Sequence, residues 1–402
     1  MLTPSRPVLA LALATAIGSL GLAAGGIASV LLGRELAGGD AAVGLPVGLL
    51  VAGSAASALL IARTTGRLGR HRSLAAGCAA GAVGAVLAVG AAVAGSFVLL
   101  LFGSIVLGAG NAAIFLTRYA AADLVEKRDR GRTLSTVLVA TAVGAIAGPF
   151  LLGPSGDAAG AIGLPPLSGL YLVAIPAFVV AALLLMASSA RAVPVEPTGG
   201  SRLNRREVMA GLNPPRVRFA LAILAVTNLV MVGIMTIAPV HLVHRGHGLD
   251  LVGLVVGIHV AGMFLPSPVS GWAADRIGPA LVASLGVGLL VVVGIAGLGV
   301  DQDSVAGMTM LLALLGVGWN AGVVGASTLL TVSVSAALRP HVEGVGEGAM
   351  GIAAAGGAPI AGVLVASGGL TTLLLVVATV SMVVLGVVWQ QRSSAFGSQP
   401  GT

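Results

Sequence analysis

Two short stretches of the 402-residue sequence place sulfur and imidazole side chains four residues apart. One runs from Met231 to Met235, and the other from His259 to Met263. Side chains at this spacing lie on one face of an α-helix, one turn apart. Three thioethers and an imidazole form a soft ligand set that selects Cu(I) over magnesium, calcium or manganese. Neutral thioethers also accept a monovalent cation without the cost of burying a carboxylate. The two patterns therefore predict a copper site.

The methionines have a second interpretation, because methionine is a common apolar filler between helices. Taken alone, the pair Met231 and Met235 is typical of packing. His259 differs, since an ionisable side chain deep inside a long apolar segment is costly and usually functional. Together, the two pairs favour a metal site over packing.

Other polar side chains are weaker candidates. His241, His244 and His247 recur every three residues after the methionine pair. They would either capture copper at a pore mouth or belong to an ordinary hydrated loop. Candidates for the lining of a cavity are Asn111, Asn228, Trp319 and Asn320. Amides inside a membrane usually bond across helices, so structural roles are the alternative. Candidate proton carriers are Glu347, Asp123 and His259.

Composition determines the environment of these residues. Hydrophobic residues make up 57% of the chain, charged residues 9%, and the mean hydropathy is +1.05. A soluble domain carries roughly a quarter charged residues, so most of this surface must face lipid. The single cysteine excludes an internal disulfide. The net charge of +7 would suit nucleic-acid binding, but the positions of the charges explain them as topology signals.

Apolar stretches of about twenty residues, each long enough to cross a bilayer, recur along the chain. We number them spans 1 to 12 and predict them near residues 8–32, 41–62, 73–94, 97–119, 133–152, 167–187, 217–243, 251–273, 280–300, 305–329, 347–367 and 371–389. With a cytoplasmic N-terminus, all of the 21 Lys and Arg except Arg34 and Arg245 fall on the cytoplasmic side, as the positive-inside rule requires. The sequence thus predicts an all-α membrane protein of twelve transmembrane helices with both termini in the cytoplasm.

In this topology the four soft side chains fall at two matching depths. Spans 7 and 8 are antiparallel, and a helix rises 1.5 Å per residue. Met235 and His259 each lie roughly 12 Å below the outer surface, and Met231 and Met263 roughly 18 Å below it. The four candidate ligands are therefore expected near the bilayer midplane.

The two halves of the sequence repeat. Gly66–Gly69 matches Asp275–Gly278 at an offset of 209 residues, and Pro149 matches Pro359 at 210. This predicts two pseudo-symmetric six-helix bundles, which are residues 1–187 and residues 217–402 with a short cytoplasmic tail, joined by a cytoplasmic linker at 188–216. Repeats of this kind place a substrate site at their interface near the midplane.

The loop sequence Gly-Trp-Ala-Ala-Asp-Arg-Ile-Gly at 271–278 resembles the signature loop of the major facilitator superfamily, and residues 62–72 form its counterpart after span 2. Helix count, linker and duplication extend the resemblance over the whole chain. It implies a transporter whose loop residues form a cytoplasmic latch, and these residues are Gly271, Asp275, Arg276, Arg67 and Arg70. Gly66 stands where the acidic residue of the first loop is expected, so the first latch is predicted to be weaker.

A closer resemblance follows from spans 7 and 8. A methionine pair followed by His-x-x-x-Met is similar to the CcoA-like copper importers of the superfamily, which supply copper for cytochrome oxidase assembly. The resemblance implies that the copper ligands are Met231, Met235, His259 and Met263. Close relatives of that group are thought to carry riboflavin, so a carrier of an organic metabolite or amphipathic drug is the alternative. Ser104 replaces the arginine common in proton-coupled drug antiporters, which counts against drug efflux.

The predicted function is copper import across the cytoplasmic membrane by alternating access. The sequence contains no nucleophile–base pair or phosphate-binding loop, so no enzyme activity is predicted. Copper is expected as the transported substrate and not as a resident cofactor. The expected partners are a small solute or metal ion and the lipid bilayer. A monomer is expected, with no nucleic-acid partner.

Overall fold

A computed structural model of the chain describes residues 6–122, 130–189, 205–301, 304–335 and 338–396. Every regular element within these ranges is a helix. This follows from the apolar composition, because in lipid a backbone must satisfy its polar groups internally. The candidate proton carrier Asp123 lies outside the described residues.

The helices follow the predicted spans in order. In the first half they are Arg6–Ala23, a π-helical turn Ala24–Ala28 and Ser29–Ala37 (span 1), Leu45–Leu68 (span 2), Arg70–Ala94 (span 3), Phe97–Ala122 (span 4), Arg130–Phe150 and Leu152–Ala161 (span 5), and a 3-10 turn Pro166–Ser168 before Gly169–Ser189 (span 6). In the second half they are Pro215–His244 (span 7), Leu249–Phe264 and Ser267–Ile277 (span 8), Pro279–Gly299 (span 9), Val305–Val332 (span 10) and Arg339–Phe396 (spans 11 and 12). A short helix, Arg205–Leu212, lies within the predicted linker.

Ten helices of the described ranges are long and apolar enough to cross a membrane, and the two helices of span 5, bent by 54°, form an eleventh crossing. One of the ten, His341–Val387, has 47 residues and is therefore about 70 Å long. The hydrocarbon core is only about 30 Å thick, and Gly368 and Gly369 interrupt this helix with non-helical backbone. Counted as two crossings, it brings the total to the twelve predicted from the sequence.

The chain packs as two compact units. The first unit is Met1–Thr198 with Thr236–Gly257, and the second is Gly199–Met235 with Ile258–Thr402. The C-terminal end of span 7 and the N-terminal end of span 8 thus pack with the first unit, although they follow the predicted linker in sequence. The predicted domain boundaries remain a prediction.

Glycines explain why the N-terminal part of span 8 packs with the first unit. A Cβ at Gly253 would collide with the carbonyl oxygen of Pro149, and one at Gly257 would lie 2.7 Å from the ring of Phe150. These two glycines, four residues apart, give span 8 a flat face that lets two membrane helices approach closely.

Two turns preserve the predicted duplication. Gly69 separates spans 2 and 3 with φ +81° and ψ 155°, and Gly278 separates spans 8 and 9 with φ +92° and ψ 142°. Side chains rarely adopt a positive φ of this kind, so the turn requires glycine. The two glycines, 209 positions apart in sequence, therefore adopt the same backbone conformation.

Candidate functional site

The four predicted soft ligands lie in the second unit, on spans 7 and 8. Met231 and Met235 belong to one continuous helix, and His259 and Met263 belong to the first helix of span 8. Each pair is thus one helical turn apart, as its spacing predicted. The methionines are half-buried, whereas His259 is only 1% exposed. A common role as ligands remains a prediction.

The imidazole of His259 is held in one tautomer. Its Nδ1 lies 2.8 Å from the backbone oxygen of Leu312 on span 10. A carbonyl can only accept a hydrogen bond, so Nδ1 must carry the proton. In a neutral ring, Nε2 then holds a lone pair. Nε2 is buried and has no hydrogen-bond partner among the described residues. Metal-binding histidines usually have this arrangement, with one nitrogen donating to a carbonyl and the other free to coordinate.

Small residues bring span 8 close enough to span 10 for this bond. A Cβ at Gly316 would collide with the backbone oxygen of His259, and one at Gly262 would lie 2.9 Å from the oxygen of Ala313. Because the contact joins two backbones, no rotamer change can relieve it. These glycines therefore determine how far span 10 lies from His259.

We expect Gly316→Ala to lower the unfolding temperature, because the added methyl forces the two backbones apart at a cost of about 1–3 kcal/mol. Gly288→Ala is the matched control, since a Cβ at Gly288 has open space around it and alanine is the better helix former. Thermal unfolding of the purified variants checks the prediction. Equal unfolding temperatures for the two variants would contradict it.

Span 8 is broken beside Met263, a feature that the predicted single helix did not contain. Its first helix ends at Phe264 and its second begins at Ser267. Pro266 and Pro268 have no N–H group, so they cannot donate to the carbonyls of Gly262 and Phe264. The two prolines were the signal in the sequence that could have revealed the break. Discontinuous helices near the midplane are a common feature of transporter binding sites.

Asn320 of span 10 forms hydrogen bonds with residues on both sides of the break. Its Nδ2 donates to the backbone oxygen of Met263 and to Oγ of Ser267, both at 2.7 Å. Its Oδ1 accepts a hydrogen bond of 2.6 Å from the hydroxyl of Ser270. Asn320 is only 2% exposed. The amide thus bonds across helices, which was the structural alternative to a cavity-lining role.

Asn228 and Trp319 also bond with each other. The indole Nε1 of Trp319 donates to Oδ1 of Asn228 at 3.1 Å, and Nδ2 of Asn228 donates to the backbone oxygen of Met350 at 2.8 Å. The ring of Trp319 meets Phe264 edge to face, with centroids 6.4 Å apart. An aromatic pair and an amide therefore lie on spans 7, 8 and 10, the spans that carry the soft side chains and the bond to Leu312.

In the first unit, Asn111 of span 4 is half-buried. Its Oδ1 is buried and has no hydrogen-bond partner within the described ranges. The cavity-lining role of Asn111 remains a prediction.

The three outer histidines belong to the first unit. His241 and His244 lie in the last turn of span 7, and His247 follows Gly246, which has a φ of +82°. His244 lies within the electrostatic influence of Arg34, Asp40 and Arg245. Arg34 and Asp40 form an ion pair of 2.8 Å. Metal capture by the three histidines remains a prediction.

The predicted loop residues are at the ends of helices. Arg67 is exposed near the end of span 2, and Arg70 begins span 3. Asp275 and Arg276 are exposed in the last turn of span 8, where the guanidinium of Arg276 lies 5.5 Å from the ring centroid of Trp272.

The remaining predicted residues are dispersed. Gly271 is half-buried with open space around it, and Glu347 is exposed near the start of span 11. In the described part of the chain, no three His, Cys, Asp or Glu side chains gather as in a conventional metal site.

Residues 9–345 match the family model described as Major Facilitator Superfamily (MFS). The chain is 33% identical over 397 residues to the uncharacterized MFS-type transporter YdeG of Bacillus subtilis (strain 168), covering 96% of this chain and 92% of the relative. It is 30% identical over 323 residues to the riboflavin transporter RfnT of Brucella anthropi, covering 79% and 78%.

Solved structures share the fold. A bacterial homologue of the human lysosomal transporter Spinster, in an inward-facing and unoccupied conformation, superposes with a TM-score of 0.73. The alignment covers 96% of this chain and 94% of that one, at 16% sequence identity. At this identity, the likeness concerns the fold alone.

Proposed function

The chain belongs to the Major Facilitator Superfamily, and from this premise we propose that it imports copper by alternating access. As a member of that family it is a multi-pass membrane protein and a secondary transporter of a small solute, not an enzyme. The proposal concerns the cargo, and the cargo must be inferred from the side chains.

One observation carries the copper proposal, which is the unpartnered Nε2 of His259. A buried acceptor without a partner costs about 1–3 kcal/mol. A cargo that binds beside His259 would supply the partner that the described residues do not. The Nε2 lone pair suits a metal ion, since the bond from Nδ1 to Leu312 already fixes the ring.

The methionines support copper over other metals. Met263 is one turn from His259 on the same helix, and Met231 and Met235 supply two further thioethers on span 7. Thioether sulfur favours Cu(I), whereas magnesium, calcium and manganese prefer oxygen. The proposed ligands thus carry no charge, which suits a monovalent cation within a membrane.

A flavin-like organic solute is the second candidate. Phe264 and Trp319 form an aromatic pair beside the amide of Asn228, and planar rings stack on aromatic side chains. One relative at 30% identity is named a riboflavin transporter. In this case Nε2 of His259 would accept an N–H or O–H of the solute, and the methionines would form an adaptable apolar wall.

Binding to the purified protein separates the two candidates. We expect the full-length transporter in detergent to bind one Cu(I) per chain in competition with a copper chelator, and to leave the fluorescence of added riboflavin unchanged. Quenching of riboflavin fluorescence without copper binding would instead support the flavin. If neither ligand binds, both cargo proposals fail and the family assignment stands.

A further inference from the structure

We propose that Asn320 determines the specificity of the second unit by occupying oxygen atoms at the break of span 8 that a sodium-type cation would otherwise coordinate. The proposal concerns the side-chain amide and the atoms it bonds. Its meaning for copper rests on the proposed function, whereas the proposed role of the amide does not.

The break supplies oxygen ligands of the kind that hard cations use. Between Phe264 and Ser267 the helix is interrupted. The carbonyl of Met263 and the hydroxyls of Ser267 and Ser270 all bond to the side-chain amide of Asn320. In other transporters, unwound carbonyls at discontinuous helices coordinate sodium ions or protons. Here one such carbonyl, that of Met263, shares the amide of Asn320 with two serine hydroxyls.

The amide nitrogen of Asn320 stands where a cation would stand. Each of its two protons points to one oxygen, the carbonyl of Met263 and the hydroxyl of Ser267, both at 2.7 Å. The amide therefore neutralises the partial negative charge of both oxygens without carrying a charge itself. Because Asn320 is 2% exposed, water cannot easily replace it, and loss of the donor would leave buried acceptors unsatisfied.

The bonds to Asn320 occupy oxygen ligands of span 8 and leave its sulfur and nitrogen ligands available. With the carbonyl of Met263 bonded to Asn320, the side chain of Met263 still offers its sulfur and His259 still offers Nε2. Oxygen ligands would favour sodium, magnesium or calcium. Their occupation by an uncharged donor favours a soft cargo over the sodium ions that surround any cell.

Asn320→Asp reverses the role of the amide, because it replaces the donor with a carboxylate of the same shape. The variant faces the carbonyl of Met263 and the hydroxyls of Ser267 and Ser270 with a buried negative charge, which is costly unless a cation binds. We expect sodium chloride to raise its unfolding temperature by at least about 2 °C relative to choline chloride of equal ionic strength.

Two chains serve as controls. For wild type, and for Ser335→Asp, which adds a carboxylate at an exposed position in the turn after the same helix, we expect each unfolding temperature to be the same in the two salts. A folded Asn320→Asp variant that does not respond to sodium, lithium or potassium would overturn the proposal. So would a sodium response of wild type as large as that of the variant.

If Asn320→Asp folds only in sodium, that result supports the proposal in its strongest form. If it folds in neither salt, Asn320→Ala decides, because it uncovers the same oxygens without adding charge. A sodium-dependent rise in its unfolding temperature supports the proposal, and a failure to respond or to fold in either salt refutes it. None of these measurements involves copper, so they stand whether or not the cargo proposal holds.

Discussion

Replacing His259 by asparagine should reduce copper accumulation by more than about tenfold, while the protein still folds and reaches the membrane. Asparagine places an amide nitrogen at the same number of bonds from the backbone as Nδ1 of histidine. It can therefore keep the bond to the oxygen of Leu312, but it has no atom in the place of Nε2. The substitution removes the proposed metal ligand and preserves the anchor that holds the side chain.

Uptake of radioactive copper by cells that express equal amounts of each variant tests this expectation. His341→Asn is the matched control, because His341 is exposed near the start of span 11 and should tolerate the change. Unchanged accumulation in the His259→Asn variant would eliminate Nε2 as a ligand. If the His259→Asn variant does not reach the membrane, His259 is needed for folding through its packing and its bond to Leu312. Copper uptake would then be measured in His259→Gln, whose longer side chain also carries an N–H donor.

The fold was largely predictable because lipid leaves few alternatives. Long apolar runs without caps or charges must be helices in a bilayer. The distribution of arginines predicts which helix ends face the cytoplasm, and that orientation remains a prediction. The turn glycines were also predictable, since Gly69 and Gly278 stand at one offset and only glycine suits their positive φ. The sequence also placed the break between spans 11 and 12, predicted at 368–370, where Gly368 and Gly369 interrupt one long helix.

The sequence predicted which candidate side chains share a face of one helix, but not which side chains of different helices contact each other. Spacing placed His259 and Met263 one turn apart on one helix face. It could not show that the histidine bonds to span 10, because that bond joins residues 53 positions apart in sequence. Asn320 appeared as a cavity residue for the same reason, since its partners Met263 and Ser267 are also far away in the chain. Two prolines marked the break in span 8, but prolines are tolerated in membrane helices and do not by themselves predict one.

The sequence also did not predict that the end of span 7 and the start of span 8 pack with the first unit. His241, His244 and His247 follow the methionine pair closely in sequence, so one of their two interpretations was the capture of copper for the methionine site. Packing assigns Thr236–Gly257 to the first unit and the four soft side chains to the second. Arg34 and Arg245, the two cations predicted to lie outside, both influence His244. The distance in sequence between Arg34 and Arg245 concealed their shared influence on His244.

The strongest test of the thioethers is their joint replacement by leucine in Met231→Leu with Met235→Leu. Leucine and methionine have similar volumes, and such exchanges usually cost less than about 1.5 kcal/mol in a packed core. Both side chains are only half-buried on a continuous helix, so the fold should persist. A thioether ligand, in contrast, has no substitute in a hydrocarbon, and we expect Cu(I) binding to the purified protein to fall by more than about tenfold.

The same double variant distinguishes sulfur chemistry from apolar contact. If the methionines form the wall of an organic solute site, leucine preserves the wall, and uptake of that solute should continue nearly unchanged. Met310→Leu with Met382→Leu is the matched control, since both methionines are exposed on spans 10 and 12 of the same unit. Copper binding that survives in the Met231 and Met235 variant would remove span 7 from the ligand set. Loss of binding there, with full binding in the control, would assign coordination to the thioethers of span 7.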